Sequence, residues 1–397
     1  MSWTRPQHPI VLKNLTYLYL DIQLSIEEQL EPILKASPNL KYLAFGDAFI
    51  WNTSTIDLQK LTSWCPKLIY MEVNAGWLSK HRVPWIHHIN DTCNKDSEGL
   101  RCFNGSVTFR YGPDEIGRHL ISNATTLEYI ALRKDLYENK DWSNILKEIH
   151  APQLHTLVCI DLVYSSSALE MMLGRCCFLE SITLRGPKQK VPLDLQKVLM
   201  CSKYLKLVHL GFFEVHYGNV IQVFKSLATH HSKLCDMELQ EVNVTDQVLL
   251  SLTYLTPLKR LSLRFEDNFT YYTDEGLLSF AENLFERSSV DTLELWKIRS
   301  LPYPVFQRLV TLPRLKCLSI LSYRPVTVLD GPSLVQLLND EKTCIEKIAF
   351  MTLSLTGTDD PVVEFLNEKL QRYKVTENTT KVDIDTPHRI LIRKKVM

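Results

Sequence analysis

A short hydrophobic pattern recurs along the whole chain. It consists of an apolar residue, two variable residues, an apolar residue, one variable residue and a final apolar residue. The alternation at its end is that of a half-exposed β-strand. The first apolar residues of the copies lie at positions 15, 40, 68, 100, 127, 154, 179, 205, 234, 258, 290, 315 and 345. The copy that begins at Leu100 and includes Phe103 is degenerate. It fills what would otherwise be a gap of 59 residues. The pattern predicts about thirteen short parallel strands.

Helical periodicity fills the segments between the copies. Apolar residues three and four apart occur at Ile26, Leu30, Ile33 and Leu34, at Leu169, Met172, Leu173 and Cys176, and at Val220, Val223, Phe224 and Leu227. Each unit is therefore predicted to contain a strand, a loop and a helix. One unit alone cannot cover its own apolar faces, so the units are expected to stack on one another.

Prolines and capping residues mark where the predicted helices end and begin. Pro38, Pro66, Pro152 and Pro313 each stand two residues before the first leucine of a copy, where proline stops a helix and turns the chain into the next strand. The segments TDQVLLSL at 245–252 and TDEGLLSF at 273–280 begin with Thr-Asp, which is favourable chemistry for a helix N-terminus.

The length of the repeat defines the fold class. The copies recur on average about every 27.5 residues, within the roughly 20–29 residues of leucine-rich repeats. We therefore predict an α/β leucine-rich-repeat solenoid, a horseshoe of about thirteen strand–loop–helix repeats with a parallel concave sheet and convex helices. The expected limits are a lead-in at 1–11, the solenoid at 12–370, and a C-terminal cap with a basic tail at 371–397. The tail IRKKVM at 392–397 is expected to be a solvated end.

An irregular insertion near 75–105 interrupts the repeat rhythm. Long loops in solenoids often bear contacts, but this segment is equally well interpreted as a simple connector, and the sequence leaves both interpretations open. It holds the nearest approach to a metal cluster, formed by His87, His88, Cys93 and Cys102. Their spacing matches no common zinc pattern, which favours a polar loop. No phosphate loop, dinucleotide fingerprint, HExxH or GxSxG motif occurs. We therefore expect no catalytic residues, no metal and no cofactor, and hence not an enzyme.

Charge and cysteine usage narrow the expected partners and location. Lys plus Arg equals Asp plus Glu at 45 each, which argues against general binding to nucleic acid or an anionic membrane. The first residues lack the apolar run of a signal peptide, and no stretch approaches eighteen apolar residues. The ten cysteines are scattered and are expected to be free thiols. The expected location is therefore cytoplasmic, nuclear or both.

Several motifs resemble one family in particular. A cysteine lies three residues before the strand leucine in CPKL at 65–68 and in CCFL at 176–179. Together with TDQVL and TDEGL, these motifs resemble the leucine-rich repeats of F-box proteins, within the ribonuclease-inhibitor-like superfamily. The resemblance covers roughly 12–370. No F-box is visible, because only fourteen residues precede Leu15.

The resemblance implies one function and leaves others open. It implies the substrate-recognition part of an F-box type cullin–RING ubiquitin ligase, with a protein substrate on the concave face. The ligase adaptor would then be held by an F-box outside this chain. The alternative is a free-standing interaction or inhibitor protein, as ribonuclease inhibitor is. A leucine-rich-repeat enzyme or small-G-protein activator has no sequence feature in support. An in-frame F-box upstream of Met1 would favour the first interpretation.

The repeat register selects candidate partner-binding residues. Counted from the first leucine of a copy, the third, fifth and seventh positions are expected to face the concave wall. The third position is a tyrosine in four of the first five copies, and Cys102 of the degenerate copy interrupts this row. Stacking for stability and contact with a partner are compatible roles for these tyrosines. The candidates are Tyr17, Tyr42, Tyr70, Tyr129, Arg133, Arg185, His209, Asp236, Glu238, Arg260, Arg264, Glu294 and Trp296.

Overall fold

The structure is a computed structural model of the 397-residue chain. The residues that it describes are 11–20, 26–46, 57–73, 99–107, 113–134, 141–186, 195–200, 202–211, 220–230, 233–240, 244–265, 271–299, 301–322, 331–340, 343–352, 368–370, 373–378 and 388–394. They belong to two compact units, Met1–Pro187 and Lys188–Met397.

The first unit contains a parallel sheet backed by helices. In its described part the strands are β1 Tyr17–Leu20, β2 Tyr42–Phe45, β3 Tyr70–Val73, β4 Cys102–Val107, β5 Tyr129–Lys134, β6 Thr156–Ile160 and β7 Ser181–Arg185. Each strand pairs in parallel with the next one along the chain. The described helices are α1 Ile26–Lys35, α2 Leu58–Trp64, α3 Pro113–Asn123, α4 Ser143–Glu148 and α5 Ser166–Leu173.

The second unit repeats this plan. Its described strands are β8 Leu207–Gly211, β9 Asp236–Gln240, β10 Arg260–Arg264, β11 Thr292–Ile298, β12 Cys317–Ser322, β13 Lys347–Thr352, β14 Tyr373–Asn378 and β15 His388–Lys394. From β8 to β13 the pairing is parallel and sequential. The described helices are α6 Leu195–Met200, α7 Val220–His230, α8 Asp246–Leu252, α9 Asp274–Arg287, α10 Tyr303–Val310 and α11 Gly331–Asn339.

The repeat register predicted from the sequence is confirmed. Each of the thirteen parallel strands in the described residues begins two residues after the first apolar position of its copy. The degenerate copy follows the same rule, because Leu100 and Phe103 are buried and β4 begins at Cys102. The strand–helix alternation and the sequential strand order make the fold a leucine-rich-repeat array.

The apolar positions of each repeat form the core between sheet and helices. In the repeat of β10, Leu258, Leu261 and Leu263 are at most 1% exposed. Side chains alternate along a strand, so the third and fifth positions point to the opposite side of the sheet. We call this second side the open face, because the described helices do not pack on it. It corresponds to the wall that the sequence analysis expects to be concave.

The predicted helix limits are also confirmed. Each of the four prolines follows the end of a helix by two to four residues, at α1, α2, α4 and α10. Thr245 caps α8 by accepting a hydrogen bond from the Val248 amide at 3.3 Å, and Thr273 caps α9 in the same way.

At the C-terminal side of the sheet, the strand pairing changes from parallel to antiparallel. β15 pairs with β13 in antiparallel fashion, and β14 pairs with β15, again antiparallel. The segment expected as a solvated tail therefore begins inside a strand, and Ile392 has 0% exposure. The reason lies in its own sequence, because the segment contains an apolar run at 390–392, flanked by Arg389 and Arg393, and two of its three residues are β-branched, which favours a strand.

Candidate binding surface

A row of tyrosines crosses the open face of the first unit. In the parallel register Tyr17 lies beside Tyr42, Tyr42 beside Tyr70, Tyr70 beside Cys102, and Cys102 beside Tyr129. The ring centroids are 6.4 Å apart for the first of these pairs and 6.2 Å apart for the second, with the rings tilted against each other. The predicted row and its interruption at Cys102 are therefore present in the sheet.

The tyrosines of this row differ in their surroundings. Tyr17 is 51% exposed, whereas Tyr70 is 4% exposed. The hydroxyl of Tyr70 donates a hydrogen bond to Glu72 Oε2 at 2.9 Å, and Asn104 Nδ2 donates to Glu72 Oε1 at 3.0 Å. Burial raises the pKa of Glu72, and these two hydrogen bonds oppose the rise. Tyr70 thus belongs to a buried polar network, while Tyr17 presents its ring to solvent.

Glu72 and Asn104 are not among the residues predicted from the sequence. Both occupy the fifth position of their copies, on strands β3 and β4. The signal was available, because the fifth position belongs to the open face in the same register that selected Tyr70. The hydrogen bonds between them, by contrast, could not be read from spacing along the chain.

Arg133 and Arg185 lie farther along the open face of the first unit. Arg133 pairs in register with Ile160, and Ile160 pairs with Arg185. The two arginines therefore flank an apolar residue on the central strand of three. Both are half-buried.

Arg260 is the centre of a charged network on the open face of the second unit. Its Nη1 donates to Asp236 Oδ1 at 2.9 Å, and its Nη2 donates to Glu294 Oε2 at 3.0 Å. Nη2 also lies 3.6 Å from Glu238 Oε2. His209 Nε2 lies 3.4 Å from Asp236 Oδ1 and extends the network to β8. Five of the predicted site residues are thus brought together across four strands.

The network keeps the Asp236 carboxylate and the Arg260 guanidinium ionised. Burial by itself would raise the pKa of Asp236, but the hydrogen bond from His209 and the charge of Arg260 outweigh it, and the pKa lies below its usual value. Burial by itself would lower the pKa of Arg260, but the hydrogen bond to Glu294 and the charge of Asp236 raise it. The five side chains of this network remain 21% to 29% exposed.

Arg264 and Trp296 form a stacked pair next to the charged network of Arg260. The guanidinium carbon of Arg264 lies 5.3 Å from the centroid of the Trp296 ring, within range of a cation–π contact. Trp296 Nε1 donates to Glu294 Oε2 at 3.3 Å. A register shift between Trp296 and Ile298 forms a bulge, with Lys297 at a φ of 61°. Such bulges re-aim neighbouring side chains.

The described residues contain no group of three histidine, cysteine, aspartate or glutamate side chains placed to hold a metal ion. Cys102 lies in β4 with its side chain buried. His87, His88 and Cys93, as well as most of the insertion near 75–105, lie outside the described residues. No helix in the described ranges is long and apolar enough to cross a bilayer.

The strand–helix repeats, the leucine core and the open polar face define a leucine-rich-repeat protein of the strand–loop–helix type. Comparison with known proteins finds no matching family model and no matching curated sequence. The solved structures that are similar include the leucine-rich-repeat protein LegL7 from Legionella pneumophila, at 14% identity and a TM-score of 0.40, over 93% of this chain and 99% of that one.

Two further structures are similar at the same level. One is a chain of the Rad7 and Elc1 complex from yeast, at 13% identity and a TM-score of 0.43, over 90% of this chain and 74% of that one. The other is the ectodomain of the receptor kinase GASSHO1/SCHENGEN3 from Arabidopsis thaliana, in complex with CASPARIAN STRIP INTEGRITY FACTOR 2. It matches at 12% identity and a TM-score of 0.39, over 85% of this chain and 38% of that one. These likenesses assign neither a function nor a partner to this chain.

Proposed function

We propose that this chain is a protein-binding scaffold whose open face holds a partner protein. The observation that carries the proposal is the composition of that face between β8 and β11. Half-exposed charged and aromatic side chains stand there in a continuous network, while the other side of the same strands is apolar core. Parallel sheets usually have apolar residues on both faces, because both are covered within the fold. A polar and aromatic face is instead suited to a partner that binds and leaves.

The residue types on the open face are those that dominate protein interfaces. Tryptophan, tyrosine and arginine are enriched among the residues that contribute most to binding. Arg264 and Trp296 supply such a pair in the second unit, and Tyr17 and Tyr42 supply another in the first. Acidic and basic side chains lie close together around Arg260. The partner surface is therefore expected to carry both negative and positive charges.

The finer proposal is a substrate receptor of an F-box type cullin–RING ubiquitin ligase. It rests on the motifs that resemble F-box repeat proteins, and the structure gives each of these motifs a local role. Cys65 and Cys176 are buried, and their thiols point to the backbone carbonyls of Leu34 and Met172 at 3.8 Å and 3.3 Å. The adaptor contact would lie in an F-box outside this chain. The alternative remains a free-standing interaction or inhibitor protein.

Quantitative affinity purification from the native cell type tests the scaffold proposal. The double variant Arg264→Ala/Trp296→Ala removes the stacked pair from the open face. The control variant Glu275→Ala/Glu282→Ala removes two exposed side chains from α9 on the helix side. We expect the first variant to capture at least about tenfold less of one partner protein than the unmodified chain does. The control variant should capture that protein in the same amount as the unmodified chain. The proposal is wrong if the open-face variant keeps every protein and the control loses them.

Partner turnover separates the ligase from the free-standing scaffold. If the chain is a substrate receptor, depleting it should lengthen the half-life of the captured protein and reduce its ubiquitination, and a ligase adaptor should co-purify. If it is an inhibitor or scaffold, the captured protein should bind with its half-life unchanged. A cycloheximide chase with and without the chain distinguishes the two outcomes.

A further inference from the structure

One edge of the second unit carries a series of basic side chains. At this edge the helices end and the parallel strands begin, as shown by the row of backbone hydrogen bonds that joins consecutive strand starts. The amide of Lys259 donates to the carbonyl of Cys235, and the amide of Asp291 donates to the carbonyl of Lys259. Since all strands from β8 to β13 run the same way, every turn from helix to strand reaches this same edge.

Seven cations at this edge have no ion pair among the described residues. We call them the basic edge, and they are Lys203, Lys225, Lys233, Lys259, Arg287, Arg308 and Arg314. All except the half-buried Arg308 are exposed. The chain as a whole has no net charge, so this is a local concentration of positive charge. Lys316, also at this edge, differs from them because it pairs with Glu346 at 3.5 Å.

Aromatic rings hold several of these cations in place. Lys225 Nζ lies 4.6 Å from the centroid of the Tyr254 ring, and the guanidinium carbon of Arg287 lies 5.3 Å from the same centroid. The guanidinium carbon of Arg308 lies 4.1 Å from the centroid of the Phe285 ring. A ring attracts a cation without neutralising its charge. The rings therefore order the cations along successive repeats and leave their charge available to a ligand.

The helix dipole accounts for some cations of the basic edge but not for all of them. A cation in the last turn of a helix is favoured by the helix dipole, and Arg287 and Arg308 stand in such turns. Lys233 and Lys259 lie beyond the helices, in the turns that lead into β9 and β10. No helix dipole accounts for these two lysines. Mutual repulsion along the edge is a cost that a bound anion would relieve.

We propose that the basic edge is a second interaction surface, distinct from the open face, and that it binds an acidic protein segment rich in Asp and Glu. Charge complementarity with unpaired cations supports an anionic ligand. Tyr254 is contacted by cations from both neighbouring repeats, so its ring is not presented for base stacking, which single-stranded nucleic acid uses. Glu286 and Asp291 also stand among the cations. They would repel a continuous phosphate backbone, but they would accept the occasional basic residue of a peptide.

Fluorescence anisotropy with two labelled probes tests this surface on the full chain. The probes are a twelve-residue peptide of alternating Glu and Ser, and a six-nucleotide oligothymidylate of similar charge. The test variant is Lys203→Ala/Lys233→Ala/Lys259→Ala. The matched control is Lys13→Ala/Lys41→Ala/Lys67→Ala, which removes three exposed lysines that precede the first three strands of the other unit. The open-face variant Arg264→Ala/Trp296→Ala is measured in parallel.

We expect the test variant to bind the Glu peptide about tenfold more weakly than the unmodified chain at low salt, as expected for the loss of three solvent-exposed charge contacts. The matched control and the open-face variant should bind the peptide as the unmodified chain does, and the charge-retaining Lys203→Arg/Lys233→Arg/Lys259→Arg should restore binding. Equal weakening in the matched control, or no binding of the peptide to the unmodified chain, overturns the proposal. Tighter binding of the oligothymidylate with the same sensitivity to the test variant also overturns it, in favour of a nucleic-acid surface. None of these outcomes bears on the open face.

Discussion

His119 of α3 is an ionisable side chain that lies buried in the core of the first unit. His119 has 0% exposure, and neither ring nitrogen has a hydrogen-bond partner among the described residues. Its ring packs against Phe103, with the two ring centroids 5.5 Å apart. Burial lowers the pKa of His119 from 6.5 to about 4, although Asp57 opposes the shift. The side chain is therefore neutral in the folded chain at neutral pH.

His119 predicts an acid-sensitive stability of the first unit. Its pKa is lower in the folded state than in the unfolded state, so between about pH 6.5 and pH 4 the unfolded chain binds a proton that the folded chain does not. The free energy of unfolding should thus fall as the pH falls through this window, by about 2 kcal/mol between pH 7.5 and pH 5. Urea denaturation at both pH values measures this loss.

The control for this prediction is His119→Phe, which keeps a ring against Phe103 and cannot be protonated. This variant should lose about 2 kcal/mol less than the unmodified chain over the same change of pH. An equal loss in both proteins would assign the acid sensitivity to other groups.

At the scale of elements, the sequence predicts where strands and helices begin and end better than it predicts the contacts between neighbouring helices. The strands, the proline stops and the threonine caps were predicted because each depends on residues close together in the chain. The link between α8 and α9 was not. Asp246 accepts hydrogen bonds from the amide and the hydroxyl of Thr273 at 2.8 and 2.9 Å. The motif Thr-Asp thus caps its own helix with the threonine and, in the first copy, holds the next helix with the aspartate.

This link makes Gly276 a sensitive position. A Cβ at Gly276 would overlap Asp246 Oδ1. Gly276→Ala should therefore force the carboxylate away from Thr273 and lower the free energy of unfolding by about 1–3 kcal/mol. In an Asp246→Ala background the obstacle is absent, and the same change should cost much less. Denaturation of the four proteins in this cycle measures the coupling, and additive effects would contradict the proposed contact.

At the scale of the whole molecule, repeats that contact only their neighbours should confine damage. Leu261→Ala deletes a fully buried side chain from β10 and should lower the free energy of unfolding by about 2–5 kcal/mol. Amide hydrogen exchange should then quicken in Lys188–Met397 and stay unchanged in Met1–Pro187. A cost below about half a kcal/mol contradicts the assigned register. A uniform loss of protection along the whole chain contradicts the expected confinement of the damage.

The candidate surface was predictable in position but not in its contacts. A fixed period of leucines places Tyr17, Arg260 and Trp296 on the open face, since alternation along a strand decides which side a residue takes. The bonds from Arg260, directly across to Asp236 and diagonally to Glu294, depend on side-chain rotamers that no periodicity encodes. The basic edge was likewise missed, because its members have no common position within the repeat. They become neighbours only through the turns that bring helix ends together.

The antiparallel strand β15 has a consequence for how this array can grow. A parallel edge accepts another strand–helix unit in the same orientation, so an array that ended at β13 could lengthen by duplication of its last repeat or join a second chain head to tail. β15 runs the opposite way and pairs along that edge, so a strand of this chain already covers it. β14 then forms the outer described strand, and it runs in the same direction as β13 because it is antiparallel to β15. A repeat added directly after β13 would have to displace β15, whereas a unit duplicated upstream of β13 would have a neighbour of matching polarity on each side.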